Sequence, residues 1–215
     1  MIEALALAAV LQVAAAAPVE APVAGADAAW QAYERGDHAA ALREYRAAAA
    51  RGVRLAQFNL AMMLFRGEGH AADPAQALEW LEKAAAANLP QAQYNLGLLY
   101  EHGEHVPRSQ ADAARWYRRA AEQGHTEAQV ALATQYFLGR GVPRDYAAAA
   151  RWYEAAAQGG DAAAQYIIAS FYEQGTGVTA DLRKAFDWYV QAGRQGDPAA
   201  RIKAQELARR VEAAR

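Results

Sequence analysis

HTEAQVALATQYFLGRGVPRDYAAAARWYEAAAQGG, residues 125–160, decides the fold. Ala128, Leu132 and Tyr136, with Ala131 and Ala133 beside them, fall at helical spacing and predict a first helix, A. Gly139 ends it, because a left-handed exit costs glycine nothing. Gly139 to Arg144 reads as a loop from its composition. Asp145 then stands where a carboxylate accepts from the free N–H groups of a second helix, B. That helix carries Ala149, Trp152, Ala156 and Ala157 on one face and stops at Gly160.

The same pattern recurs outward in both directions with a step of 36 residues. Trp80, Trp116, Trp152 and Trp188 keep it. So do Ala56, Ala92, Ala128, Ala164 and Ala200, then Leu60, Leu96, Leu132 and Ile168, then Gly67, Gly103, Gly139 and Gly175. The cap position reads Asp73, Ser109, Asp145, Asp181, and helix B ends at Asn88, Gly124, Gly160 and Gly196. Asparagine tolerates the left-handed state that glycine takes elsewhere. A fixed period of this length means stacked helix pairs, an α-solenoid that no single central core organises. Alanine at the crossings lets backbones approach, and Trp and Tyr are expected to fill the wedges between units.

Residues Ala92-Gln93-Tyr94-Asn95-Leu96-Gly97-Leu98-Leu99-Tyr100, then Gly103, Val106-Pro107, Ala113, Trp116, Ala120-Ala121 and Gly124, resemble a Sel1-like repeat. Gly139-Arg140-Gly141-Val142 with Asp145, and Gly175-Thr176-Gly177-Val178 with Asp181 and Trp188, resemble the same unit. The resemblance implies an all-α, right-handed superhelix of antiparallel helix pairs, related to tetratricopeptide repeats, and a role as adaptor or scaffold. It divides the chain into repeats at 53–88, 89–124, 125–160 and 161–196. Residues 27–52, with Trp30, Tyr33, Gly36-Asp37 and Tyr45, resemble a plain tetratricopeptide pair. Residues 197–215 read as a capping helix with Ala200, Ala204, Leu207 and Val211 on its apolar stripe and Arg201, Lys203, Arg209 and Arg210 in water.

Composition narrows the function. The chain of 215 residues carries a net charge of −2 and no cysteine. Without cysteine there is no disulfide and no thiolate site. Some secreted Sel1-like proteins carry a disulfide in each repeat and a β-lactamase-like activity is attributed to certain of them; this chain departs from that group, and the activity is not carried over. No basic run points to nucleic acid. Ser109 and Ser170 are the only serines, and no nucleophile elbow or phosphate loop surrounds them. Glu101-His102-Gly103-Glu104-His105, with His70 one repeat earlier, is the one cluster of metal-ligand types, and it straddles a helix end. No catalytic residue, metal or cofactor is assigned.

Residues 1–26 read as a secretory signal peptide and an Ala/Pro/Val spacer, with cleavage expected between Ala14 and Ala17. Glu3, and the lack of Lys or Arg ahead of the apolar run, depart from that pattern. The run is too short for a stable membrane span of about 20 residues. A periplasmic or secreted location follows, with a cytoplasmic one as the alternative.

The function expected is a non-catalytic adaptor that binds another protein or a peptide segment on a concave wall built from the A helices. Phe58, Tyr94 and Tyr166, Asn59 and Asn95, and Met62 and Ser170 are the candidate groove residues. The asparagine amides are suited to a bound backbone. The aromatic residues have a second reading, as plugs between neighbouring helices. An envelope hydrolase acting on cell-wall or β-lactam material, and a self-associating spacer, are the alternatives.

Overall fold

A computed structural model describes residues 26–213. It holds eleven α-helices and no strand among the described residues: α1 (Asp27–Glu34), α2 (His38–Ala50), α3 (Arg54–Arg66), α4 (Pro74–Ala86), α5 (Pro90–His102), α6 (Gln110–Ala121), α7 (Thr126–Leu138), α8 (Tyr146–Gln158), α9 (Ala162–Gln174), α10 (Leu182–Arg194) and α11 (Pro198–Ala213). The all-α expectation holds. The described residues form two compact units that divide within α6, after Trp116. The signal-peptide reading lies outside the described residues, as does the side chain of Val211.

The sequence punctuation works as expected. Asp73, Asp145 and Asp181 each accept the backbone N–H of the residue three further on, and Ser109 Oγ accepts from Asp112 at 3.2 Å. Asp37, Asp161 and Asp197 do the same at other helix starts. His125 Nδ1 takes that role for α7, accepting from Ala128 at 3.3 Å. Gly67, Gly103, Gly139 and Gly175 leave the A helices in the left-handed conformation, and Asn88 adopts φ 63° where other B helices end in glycine. Gly177 has a second constraint: a Cβ there would overlap the Tyr146 carbonyl.

Packing follows the 36-residue columns. Ala56, Ala92, Ala128, Ala164 and Ala200 are fully buried, as are Leu60, Leu96, Leu132 and Ile168. One expectation needs correction. The tryptophans are half-buried; the residue after each is the deeper one. Tyr45, Leu81, Tyr117, Tyr153 and Tyr189 form a column no more than 1% exposed. A helix turns by about 100° per residue. The position that faces the neighbouring A helix is therefore one step beyond the tryptophan, and the indole lies along the rim.

A second column, overlooked in the sequence, ties helices together. The amides of Gln57, Gln93, Gln129 and Gln165 donate to Ala49, Ala85, Ala121 and Ala157 at 3.3, 3.1, 3.2 and 3.1 Å. Each acceptor sits in the last turn of the preceding B helix and also accepts the backbone N–H three residues on, at 3.0 to 3.1 Å. At the next step Arg201 replaces glutamine and Gly193 replaces alanine, and Arg201 Nε donates to Gly193 O at 2.8 Å. The swap is size-matched, since a Cβ on Gly193 would lie 2.9 Å from Arg201 Cγ.

Gln165 also accepts from Gln195 Nε2 at 2.9 Å. Gln129→Met, which keeps the length and removes the amide, is expected to cost about 1 kcal/mol. Gln165→Met, which breaks two bonds, is expected to cost roughly twice that. Urea denaturation followed by circular dichroism checks both the values and their order.

Candidate functional site

The first unit holds five of the candidate groove residues. α3 is apolar on nearly its whole circumference, and every residue from Leu55 to Leu64 is buried. Phe58 (3% exposed) and Met62 (2%) pack with Leu81, Ala85 and Leu96 in the core of this unit. Asn59 is 2% exposed and faces the Tyr45 hydroxyl. Asn95 is 7% exposed and returns its amide to Gln91 O in its own helix at 2.8 Å. The expectation that Phe58, Asn59, Met62 and Asn95 line an open groove is therefore corrected. An A helix is covered from several sides at once, so positions that miss its first packing stripe still meet a neighbour. Tyr94 is half-buried and remains at the surface.

The second unit holds the other two. Tyr166 is half-buried, with its ring edge-on to Tyr189 at 5.2 Å between centroids. Ser170 is half-buried and accepts from Gln174 Nε2 at 3.1 Å. Glu173, one turn on, accepts from Tyr189 Oη at 3.1 Å and from Arg210 Nη1 at 3.1 Å, with Lys203 Nζ at 3.7 Å. Lys203 and Arg210 were expected simply in water. Both keep solvent-facing side chains and in addition pair with Glu173 of α9, while Ala200, Ala204 and Leu207 bury the opposite side of α11.

The buried hydroxyls of Tyr153 and Tyr189 end on polar groups of A helices. Thr134 Oγ1 donates to Val130 O at 2.9 Å, so it accepts from Tyr153 Oη at 2.8 Å. Burial raises the pKa of Tyr45, Tyr153 and Tyr189 above the ordinary tyrosine value, and the Glu173 carboxylate raises that of Tyr189 further. These phenols stay protonated near neutral pH.

Chemistry elsewhere is sparse. Among the described residues no three His, Asp or Glu side chains gather as a metal-holding group. His102 closes α5, whereas His105 lies in the following loop and stacks on Phe65 at 5.3 Å. An open cleft of about 310 Å³ in the second unit is lined by Tyr172, Val178, Thr179, Ala180, Asp181 and Lys184. Its one carboxylate, Asp181, is occupied as a helix cap. No described helix is long and apolar enough to cross a membrane.

In the unfolded chain tyrosine ionises near about pH 10. The folded protein holds the protons of Tyr45, Tyr153 and Tyr189 beyond that point. Their contribution to stability is thus complete below pH ~10 and falls as pH rises towards the folded values. Alkaline titration of tyrosine absorbance is expected to show a late-ionising group of phenols that joins the rest once urea is added.

Comparison with known proteins agrees with this architecture. The sequence pattern of the Sel1 repeat matches residues 54–89, 90–125, 126–161 and 162–197. No curated protein matches the chain. Among solved structures it is similar to a Sel1 repeat protein from Oxalobacter formigenes, with 32% identity, a TM-score of 0.71, and coverage of 86% of this chain and 85% of that one. It is also similar to a protective antigen of uropathogenic Escherichia coli strains with an SLR fold, at 32% identity and a TM-score of 0.77. There the match covers 82% of this chain but only 39% of the antigen's length. An immunity protein from Pseudomonas aeruginosa shares the fold at 24% identity and a TM-score of 0.51, over 85% of this chain and 70% of its own.

Proposed function

The chain belongs to the Sel1 repeat family, and from that premise we propose that it is a non-catalytic protein-binding module whose partner docks on residues the repeat packing leaves at the surface. One observation carries the reading. The buried columns Ala56/Ala92/Ala128/Ala164, Gln57/Gln93/Gln129/Gln165 and Leu60/Leu96/Leu132/Ile168 keep their residue type from copy to copy, while the half-buried positions Tyr94, Val130 and Tyr166 differ. The core thus builds a rigid frame, and the variable exterior is the part able to discriminate between partners. A preformed frame lowers the ordering cost of association.

Tyr94 in the first unit and Tyr166 in the second are the candidate anchors that survive at the surface. A half-exposed tyrosine offers wide contact area with only two side-chain torsions to fix. Ser170 supplies an adaptable hydroxyl beside Tyr166. Phe58, Asn59, Met62 and Asn95 belong to the buried part of the first unit.

Crosslinked pull-down from the source cell with residues 18–215 tests the reading. Tyr94→Ala is expected to weaken capture about tenfold while leaving the helical circular dichroism intact. Failure of the wild-type chain to capture any protein would sink the proposal.

We also propose that the chain is exported, from the apolar stretch Ile2–Val13 followed by Ala14–Ala17. Mass spectrometry of the protein from its source is expected to find a mature start just after Ala14 to Ala17. An intact Met1 in the cytoplasm would refute export.

A further inference from the structure

The third repeat departs from its siblings at one exposed corner of the second unit. Position 140 is Arg where the other copies have Glu68, Glu104 and Thr176; position 144 is Arg where they have Ala72, Arg108 and Ala180; position 146 is Tyr where they have Pro74, Gln110 and Leu182. The sibling repeats show that the helix pair forms without these three residues. Only this copy combines two arginines with an aromatic ring at these places.

The corner is also built as a recognition surface. Tyr146 is 41% exposed, one of two large hydrophobic residues that the described surface leaves so open. Its ring lies 5.4 Å from Phe137, which lies 5.7 Å from Phe171, which meets the buried Tyr153 edge-on at 5.7 Å. This aromatic series backs Tyr146 with the core, and Gly177 presses against its backbone carbonyl. Arg140 and Arg144 are exposed, and no carboxylate among the described residues forms a salt bridge with either. Arg144 Nη1 reaches only the Tyr146 hydroxyl, at 3.5 Å. The adjacent Asp145 caps α8 and keeps its negative charge, so Arg140, Arg144 and Asp145 together carry one net positive charge.

We propose that Arg140, Arg144 and Tyr146, backed by Phe137, form a docking site for an acidic protein segment that carries one aromatic side chain flanked by Asp or Glu. The guanidinium forks take carboxylates in paired hydrogen bonds. The ring packs on Tyr146, whose aromatic backing has already removed much of its freedom. The inference rests on the reading of the chain as a protein-binding module and gives that module a site and a partner chemistry. It adds a corner of the loop edge to the A-helix tyrosines.

The test is fluorescence anisotropy on the full chain with a fluorescein-labelled nonapeptide, a central phenylalanine between two runs of acidic residues. The acidic peptide is expected to bind, to weaken as salt rises, and to lose about tenfold affinity to the double variant Arg140→Glu/Arg144→Glu. Tyr146→Ala is expected to lose about fivefold. Circular dichroism confirms that each variant is folded, as surface positions permit. Equal binding of the basic counterpart peptide, unchanged affinity in the double variant, equal competition by a single-stranded RNA, or no binding by the folded wild type would each overturn the site. The pull-down separates the two claims. A protein still held by Arg140→Glu/Arg144→Glu and lost by Tyr94→Ala removes this site and keeps the module, whereas a wild-type chain that holds no protein removes both.

Discussion

A buried glutamine amide joined to the last-turn carbonyl of the helix before it is the contact on which the repeats depend. Alanine makes that contact reachable. With side chains no larger than methyl at the crossings, a glutamine can span from an A helix to Ala49, Ala85, Ala121 or Ala157. The bond stabilises only modestly by itself. Its larger effect is geometric, because one polar bond inside an apolar contact selects one register among several that bury similar area. The exchange to Arg201 and Gly193 preserves the contact where the helix pairs give way to a lone helix.

Once that register is set, the remaining positions have their environments assigned. The column one residue past each tryptophan is driven inward, and its tyrosine hydroxyls need partners. Thr134 provides one for Tyr153 and Glu173 one for Tyr189. The A helices become buried on most sides, which commits Phe58, Asn59, Met62 and Asn95 to support. What is left at the surface is half-buried tyrosines on the A helices and the loops between A and B helices. The proposed recognition positions therefore lie outside the buried alanine columns, and a surface change in one copy need not disturb the others.

The 36-residue step made the helix pairs, their caps and their glycine exits legible before any coordinates. Asp73, Ser109, Asp145 and Asp181 are read correctly because capping is local, decided within one turn of helix. Asn88 is read correctly for the same reason. The tryptophans stand out in the sequence by their rarity, and rarity misdirected the assignment of depth. Gln57, Gln93, Gln129 and Gln165 hold the same step and were visible as a column, but polar residues on a helix read as solvated until the acceptor opposite them is known. The pairing of the solvent-facing Lys203 and Arg210 with Glu173 was hidden on the same ground.

The sequence by itself determined the helices, their ends and the repeating alanine columns, since propensity, capping and periodicity act over a few residues. Only the tertiary structure decided which side of each A helix remains open, because burial depends on what neighbouring helices place against it. Likewise, Arg140, Arg144 and Tyr146 are ordinary loop residues in the sequence. Their standing as one basic and aromatic corner comes from the fold, which backs Tyr146 with Phe137 and Phe171 and directs Asp145 to its helix cap.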